Sequence, residues 1–168
     1  LATLVRKGEL CMAIVAENAL LHGLTVIPLA TDRLGLYVGA RSPKRLHAFE
    51  AARKLPLGGL SPGPDGVPVY WERFVKGLGL PRQLAFASDS LEAVLAATEH
   101  SAIAGVLPAR VAGRAGDRLV EVTPDKLREK QSGRHRICLI SEKKCDPREN
   151  EFLAAEIRRL LDGGETAV

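Results

Sequence analysis

The sequence predicts an α/β fold with a mainly parallel sheet, and three observations carry that prediction. Apolar runs of strand length recur at residues 10–15, 24–29, 34–38, 84–87, 102–107, 119–122 and 137–140. Segments with helical apolar spacing lie between several of them. The runs are continuously apolar instead of strictly alternating, as strands covered on both faces should be. With 168 residues and 46% apolar content, the chain can bury one sizeable core or two smaller ones.

In chain order, the run at 10–15 carries Cys11, read as a small core residue in a strand. Runs 24–29 and 34–38 follow as two further strands. The Pro/Gly-rich stretch 56–68 is the strongest interruption, but a candidate strand and a helix adjoin it closely, so it reads as a long functional loop and not a domain linker. After Pro68, a residue suited to the first helical turn, Trp71, Phe74, Val75 and Leu78 recur at i, i+3, i+4, i+7 and predict a helix with one apolar stripe. Past run 84–87, Leu91, Val94, Leu95 and Thr98 repeat that spacing over 89–98. Glu92 and Glu99 are left to solvent, and Asp89 caps this helix with Glu92 three residues on. Runs 102–107, 119–122 and 137–140 supply the later strands, the last with Cys138 as a second core cysteine. The tail 150–161 places Leu153, Ile157, Leu160 and Leu161 on one face and stops at Gly163-Gly164.

Bulk charge excludes some functions. The 24 Lys+Arg against 20 Asp+Glu give a formal charge of +4, and aromatic residues make up 4%, too little basic charge and stacking surface for a dedicated nucleic-acid binder. The clusters Lys126/Arg128/Lys130, Arg134/His135/Arg136 and Lys143/Lys144 read as solvated surface. Cys11, Cys138 and Cys145 are odd in number and form no C-x-x-C, which points to neither a disulfide framework nor a zinc site. His22, His47, His100 and His135 are scattered, so no metal is predicted. No apolar stretch reaches the roughly 18 residues of a membrane helix, no signal-peptide pattern opens the chain, and a reducing cytoplasm is expected.

Gly59-Leu60-Ser61-Pro62-Gly63 matches the nucleophile-elbow pattern G-x-S-x-G. The residue after such a nucleophile donates its N–H to the oxyanion, and Pro62 has none to give. No catalytic residue is assigned. Gly77-Leu78-Gly79 lacks the strand before and helix after that a dinucleotide fingerprint needs. Open α/β sheets bind ligands at the carboxyl ends of their strands, which directs attention to the loops after Val15, Leu60, Ala87 and Leu107. Glu17 and Asn18 follow the first run. Ser88, with the free amides of the helical turn after it, suits a ligand oxygen.

Four stretches, 4–15 (LVRKGELCMAIV), 27–38 (IPLATDRLGLYV), 88–97 (SDSLEAVLAA) and 102–112 (AIAGVLPARVA), occur in this order ahead of run 137–140 and the closing amphipathic helix. That set resembles the effector-binding domain of LysR-type transcriptional regulators. The resemblance implies a two-lobed fold like type 2 periplasmic binding proteins, with residues 1–36 and 119–168 in an incomplete first lobe, 37–118 in the second, and a small effector held between them. Positions matching the family's ligand-facing loops are Ala16, Glu17, Asn18, Ser61, Pro62, Gly63, Phe86, Ser88, Gly105 and Leu107. It further implies a non-enzymatic allosteric sensor with no cofactor beyond its effector. The sensor would act as a homo-oligomer, dimer or tetramer, and would reach operator DNA only through an N-terminal winged helix-turn-helix absent from this sequence. The alternative is a solute-binding protein of a transport system with the same two-lobe form.

Three departures stand out. Cys11 occupies a position where the family usually has aspartate. Glu99-His100-Ser101 replaces a usually glycine-rich turn. An opening βαβα portion has no counterpart, so the native gene product is expected to continue upstream of Leu1.

Overall fold

A computed structural model of the chain describes residues 1–16, 21–62, 68–128 and 133–163. Strands are β1 (Met12–Ala16), β2 (Thr25–Gly39), β3 (Leu57–Leu60), β4 (Phe86–Ser88), β5 (Ala104–Pro108), β6 (Leu119–Glu121) and β7 (Arg134–Ser141). Helices are α1 (Ala2–Arg6), α2 (Phe49–Ala52), α3 (Val69–Gly77), α4 (Leu91–His100), α5 (Ala109–Gly113), α6 (Asp125–Arg128) and α7 (Pro147–Gly163). Contacts divide the chain into Leu1–Asp32 with His135–Val168, the first unit, and Arg33–Arg134, the second.

In the first unit β1 pairs antiparallel with β7, Met12 opposite Ser141 and Ala16 opposite Ile137, and β7 neighbours β2. Alternation along these strands splits the apolar side chains between two faces. Ile27, Leu29, Leu139 and Ala154 form one cluster with Ile137, Ile157 and Leu161 against it. Val5, Leu21 and Ile140 form the other. The buried stripe of α7 is therefore Asn150, Ala154, Ile157 and Leu161. Leu160 is 71% exposed and Leu153 37%, so the expected face that included them is turned by part of a helical step. Asn150 is tied in by its amide N–H, which donates to Ser141 Oγ at 2.9 Å, and Arg158 donates twice to the Pro28 carbonyl.

In the second unit β5 lies between β2 and β3, with β4 beyond β3 and β6 on β2. Leu34, Leu36, Val38, Leu57, Ala104 and Val106 face a core completed by Trp71, Phe74 and Val75 of α3. The next residues along, Tyr37 and Leu107, face the opposite core with Val94 and Leu95 of α4 and Ala112. Each fully buried leucine, valine or phenylalanine among them contributes about 1.5–3 kcal/mol. The stripes expected on α3 and α4 are the ones buried.

Several expectations are corrected. The sheet is mixed: β3 runs parallel to β4 and β5, whereas β2 is antiparallel to β5 and β6. Runs 24–29 and 34–38 are one 15-residue strand. Its first half alternates between buried and exposed, and its second half is buried without a break, as befits a strand that gains a neighbour on each side. The Pro/Gly-rich stretch contains β3. Residues 119–121 lie in the second unit, where Leu119 and Val120 pair with Gly39 and Val38 and the Val122 N–H donates to the Leu36 carbonyl at 2.8 Å. Cys11 is exposed, while Cys138 is buried.

Candidate functional site

Parallel strands bring their carboxyl ends to one edge, and β3, β4 and β5 do so within the second unit. Leu60 lies opposite Ser88, and the Ser61 N–H donates to the Ser88 carbonyl at 2.8 Å, carrying the ladder one residue past β3. Ser61 and Ser88 are half-buried and Pro62 is exposed. The Ser88 hydroxyl accepts the Ser90 N–H at 3.1 Å. Ser90 in turn accepts the Ala93 N–H at 3.3 Å and caps α4. The cap is thus Ser90, not Asp89 as expected: α4 begins at Leu91, so the hydroxyl of Ser90 reaches the third helical amide. Glu92 is then free to pair with Arg114, and Asp89 stays exposed. Glu99, expected in solvent, is only 12% exposed in its side chain and binds Arg118 through both oxygens at 2.9 and 3.1 Å.

The other expected site residues separate. Gly105 is buried on β5, opposite Gly58 on one side and Tyr37 on the other. A Cβ there would overlap the Thr98 hydroxyl, so this glycine exists to let β5 meet α4. Leu107 has no exposure and belongs to the α4 core. Half-buried Phe86 packs against the same core. Ala16 ends β1 in the first unit, half-buried. Glu17, Asn18 and Gly63 lie outside the described residues.

Two features escaped sequence reasoning. The first is an ion cluster on the β2 and β6 side. Arg33 donates to both oxygens of Glu121 at 2.6 and 2.8 Å, and Arg128 stands 3.4 Å from the same carboxylate. Burial pushes the Glu121 carboxyl up, but the Arg33 hydrogen bond and the Arg33 and Arg128 charges outweigh it and hold the group below its ordinary 4.5. With both of its terminal nitrogens on Glu121, Arg33 acts as a brace on the β2 and β6 pairing. Nothing local in the sequence signals a pair 88 residues apart. The second is Trp71. Its indole Nε1 is buried with no hydrogen-bond partner among the described residues, and its ring lies 3.3 Å from where a Cβ on Gly59 would stand. The helical stripe identified Trp71 as core without revealing an uncommitted donor beside β3.

Among the described residues no group of three or more His, Cys, Asp or Glu side chains is placed to hold a metal ion. Among them, too, no helix is long and apolar enough to cross a membrane.

A mixed sheet layered by helices, with hydroxyls and amides gathered at its parallel-strand ends, defines an α/β domain of the kind that binds ligands at strand ends. The family model for the LysR substrate binding domain matches residues 1–155, and the chain belongs to that family. Solved structures share the fold. A sulfate-bound mutant OxyR2 regulatory domain from Vibrio vulnificus has a TM-score of 0.67 at 16% identity, over 94% of this chain and 74% of that one. The HypT regulatory domain from Salmonella typhimurium, in its apo form, has a TM-score of 0.70 at 16% identity, over 96% and 77%. CbnR, a LysR family transcriptional regulator, has a TM-score of 0.64 at 18% identity, over 94% of this chain and 54% of its own. No curated protein sequence matches. The chain is an effector-binding regulatory domain of the LysR type, with a periplasmic-binding-protein-like fold.

Proposed function

We propose that this domain senses a small polar metabolite at the carboxyl ends of β3 and β4. Ser61 and Ser88 supply hydroxyls, and the first-turn amides of α4 orient a ligand oxygen. The observation that carries the reading is the Ser61 to Ser88 ladder bond followed by the Ser88 to Ser90 turn, which holds three hydroxyl residues at one strand edge ahead of a ten-residue helix. Asp89 offsets part of the positive helix end, so the ligand group favoured there is polar or singly charged, such as a small carboxylate. Trp71 Nε1 is a further donor beside β3. The domain acts without catalysis and without a cofactor, in the cytoplasm, as a homo-oligomer whose ligand-biased equilibrium is passed to operator DNA by a winged helix-turn-helix elsewhere in the protein. A ligand does this only through differential affinity for two arrangements.

A thermal-shift screen of small carboxylates, aromatic acids and amino acids tests the reading. A binder at about one hundred times its Kd stabilises the fold by about 2.7 kcal/mol. Ser88→Ala should weaken a true hit by about 1 kcal/mol, roughly fivefold in Kd. An unchanged Kd in Ser88→Ala removes this strand edge from the site.

A further inference from the structure

Cys11 and Cys145 are 134 residues apart in the sequence and meet in the first unit. Met12 lies opposite Ser141 in the antiparallel β1 and β7 pair, so one step outward sets Cys11 beside Glu142. A turn closed by the Cys145 N–H on the Glu142 carbonyl at 3.1 Å then carries Cys145 back over Cys11. Its thiol donates to the Cys11 carbonyl at 3.7 Å. A sulfur this near the other cysteine's backbone is within reach of the Cα separation of about 4.4–6.8 Å that disulfides span. Cys11 is exposed and Cys145 half-buried, whereas Cys138, the remaining cysteine, is buried. Lys144 stands beside them, its ammonium 2.7 Å from Glu142. Hydrogen bonding and charge from Glu142 come first in holding that ammonium above its ordinary range, and both sulfurs add to the effect, which places a cation next to the pair.

We propose that Cys11 and Cys145 are a modification site, closing to a reversible intramolecular disulfide when the protein meets a hydroperoxide. The exposed Cys11 sulfur attacks the peroxide O–O bond, becomes a sulfenic acid and releases water or the alcohol. The Cys145 sulfur then attacks the sulfenic sulfur, the S–S bond forms and a second water leaves. The two thiols lose two electrons in all, and the peroxide bond takes them up. The bond staples the start of β1 to the turn that enters α7 and encloses the whole second unit in one covalent loop. This proposal is independent of the strand-edge ligand site.

The test uses the reduced 168-residue chain and hydrogen peroxide in slight excess, with free thiols counted in denaturant and peptides mapped without reduction. Free thiols should fall from three to one. The cross-linked peptide should join Cys11 to Cys145, dithiothreitol should restore all three thiols, and Cys11→Ser should abolish the cross-link. Retention of three thiols, a cross-link that uses Cys138, a disulfide between two chains, or conversion to sulfinic acid without a cross-link overturns the proposal.

Discussion

Gly105→Ala tests whether the β5 glycine serves packing or a ligand. Thr98 on α4 has no exposure and donates its hydroxyl to the Val94 carbonyl at 2.7 Å. A Cβ on Gly105 would overlap that hydroxyl and lie 3.0 Å from both Thr98 Cβ and Cγ2. Rotating the threonine only exchanges which substituent collides, so α4 must retreat from β5. Overpacking of this kind costs about 1–3 kcal/mol. The reduced freedom of the unfolded chain returns about 0.4–1 kcal/mol, leaving a net loss of about 1.3 kcal/mol at the middle of the two ranges. At about 2–4 °C per kcal/mol for a chain of this size, Tm should fall by roughly 3–5 °C. Urea unfolding of Gly105→Ala, Thr98→Ala and the double variant completes a cycle. Thr98→Ala removes the hydroxyl and Cγ2, so the double variant should recover about 1 kcal/mol relative to the sum of the single changes. Full stability in Gly105→Ala, or strict additivity in the double variant, would refute the packing argument.

Other outcomes follow from the same contacts. Glu121→Gln should lower stability at neutral pH by about 1–2 kcal/mol, the lower part of the range for charged hydrogen bonds because Arg33 and Arg128 are partly exposed. The folded Glu121 carboxyl is held below its ordinary 4.5, so its contribution is present above that pH and is lost as pH falls through the folded value. The gap between wild type and Glu121→Gln in urea midpoints should therefore close on acidification, and a gap that does not change with pH would contradict the assignment. Ser90→Ala should cost about 1 kcal/mol as a lost helix cap, whereas Asp89→Ala should stay within about 0.5 kcal/mol of wild type; thermal melts that reverse this order would restore Asp89 as the cap.

Legibility in the sequence depended on how local the determining contacts are. The stripes of α3 and α4 were readable because helical periodicity is set by the backbone itself, and Trp71, Phe74, Val75, Val94, Leu95 and Thr98 are all buried as that periodicity requires. Periodicity does not single out the α7 stripe, because a face that includes Leu153 and Leu160 is equally periodic, and only the β2 and β7 side chains of the same cluster select Ala154 and Ile157. β2 was read as two strands because residues 30–33 are less apolar, yet Asp32 is 7% exposed inside one continuous strand. β3 was hidden by Gly58 and Gly59, which weaken a strand taken alone. They stand where Ile103 and the Trp71 ring pack close to the backbone, a Cβ at Gly58 lying 2.7 Å from Ile103 Cδ1 and one at Gly59 3.3 Å from the Trp71 ring. Of the expected site residues, Ser61 and Ser88 come together at one edge, while Gly105 and Leu107 prove to be core.

By itself the sequence determined the α/β class, the family through four ordered stretches, and the strand ends worth inspecting, because each of these rests on short-range pattern. The tertiary structure alone decided strand direction, the cap at Ser90, the Arg33 and Glu121 brace and the meeting of Cys11 with Cys145. Those depend on which distant segments share a hydrogen bond or a packing face, and residues 88 or 134 positions apart leave no periodic trace of their contact in the chain between them.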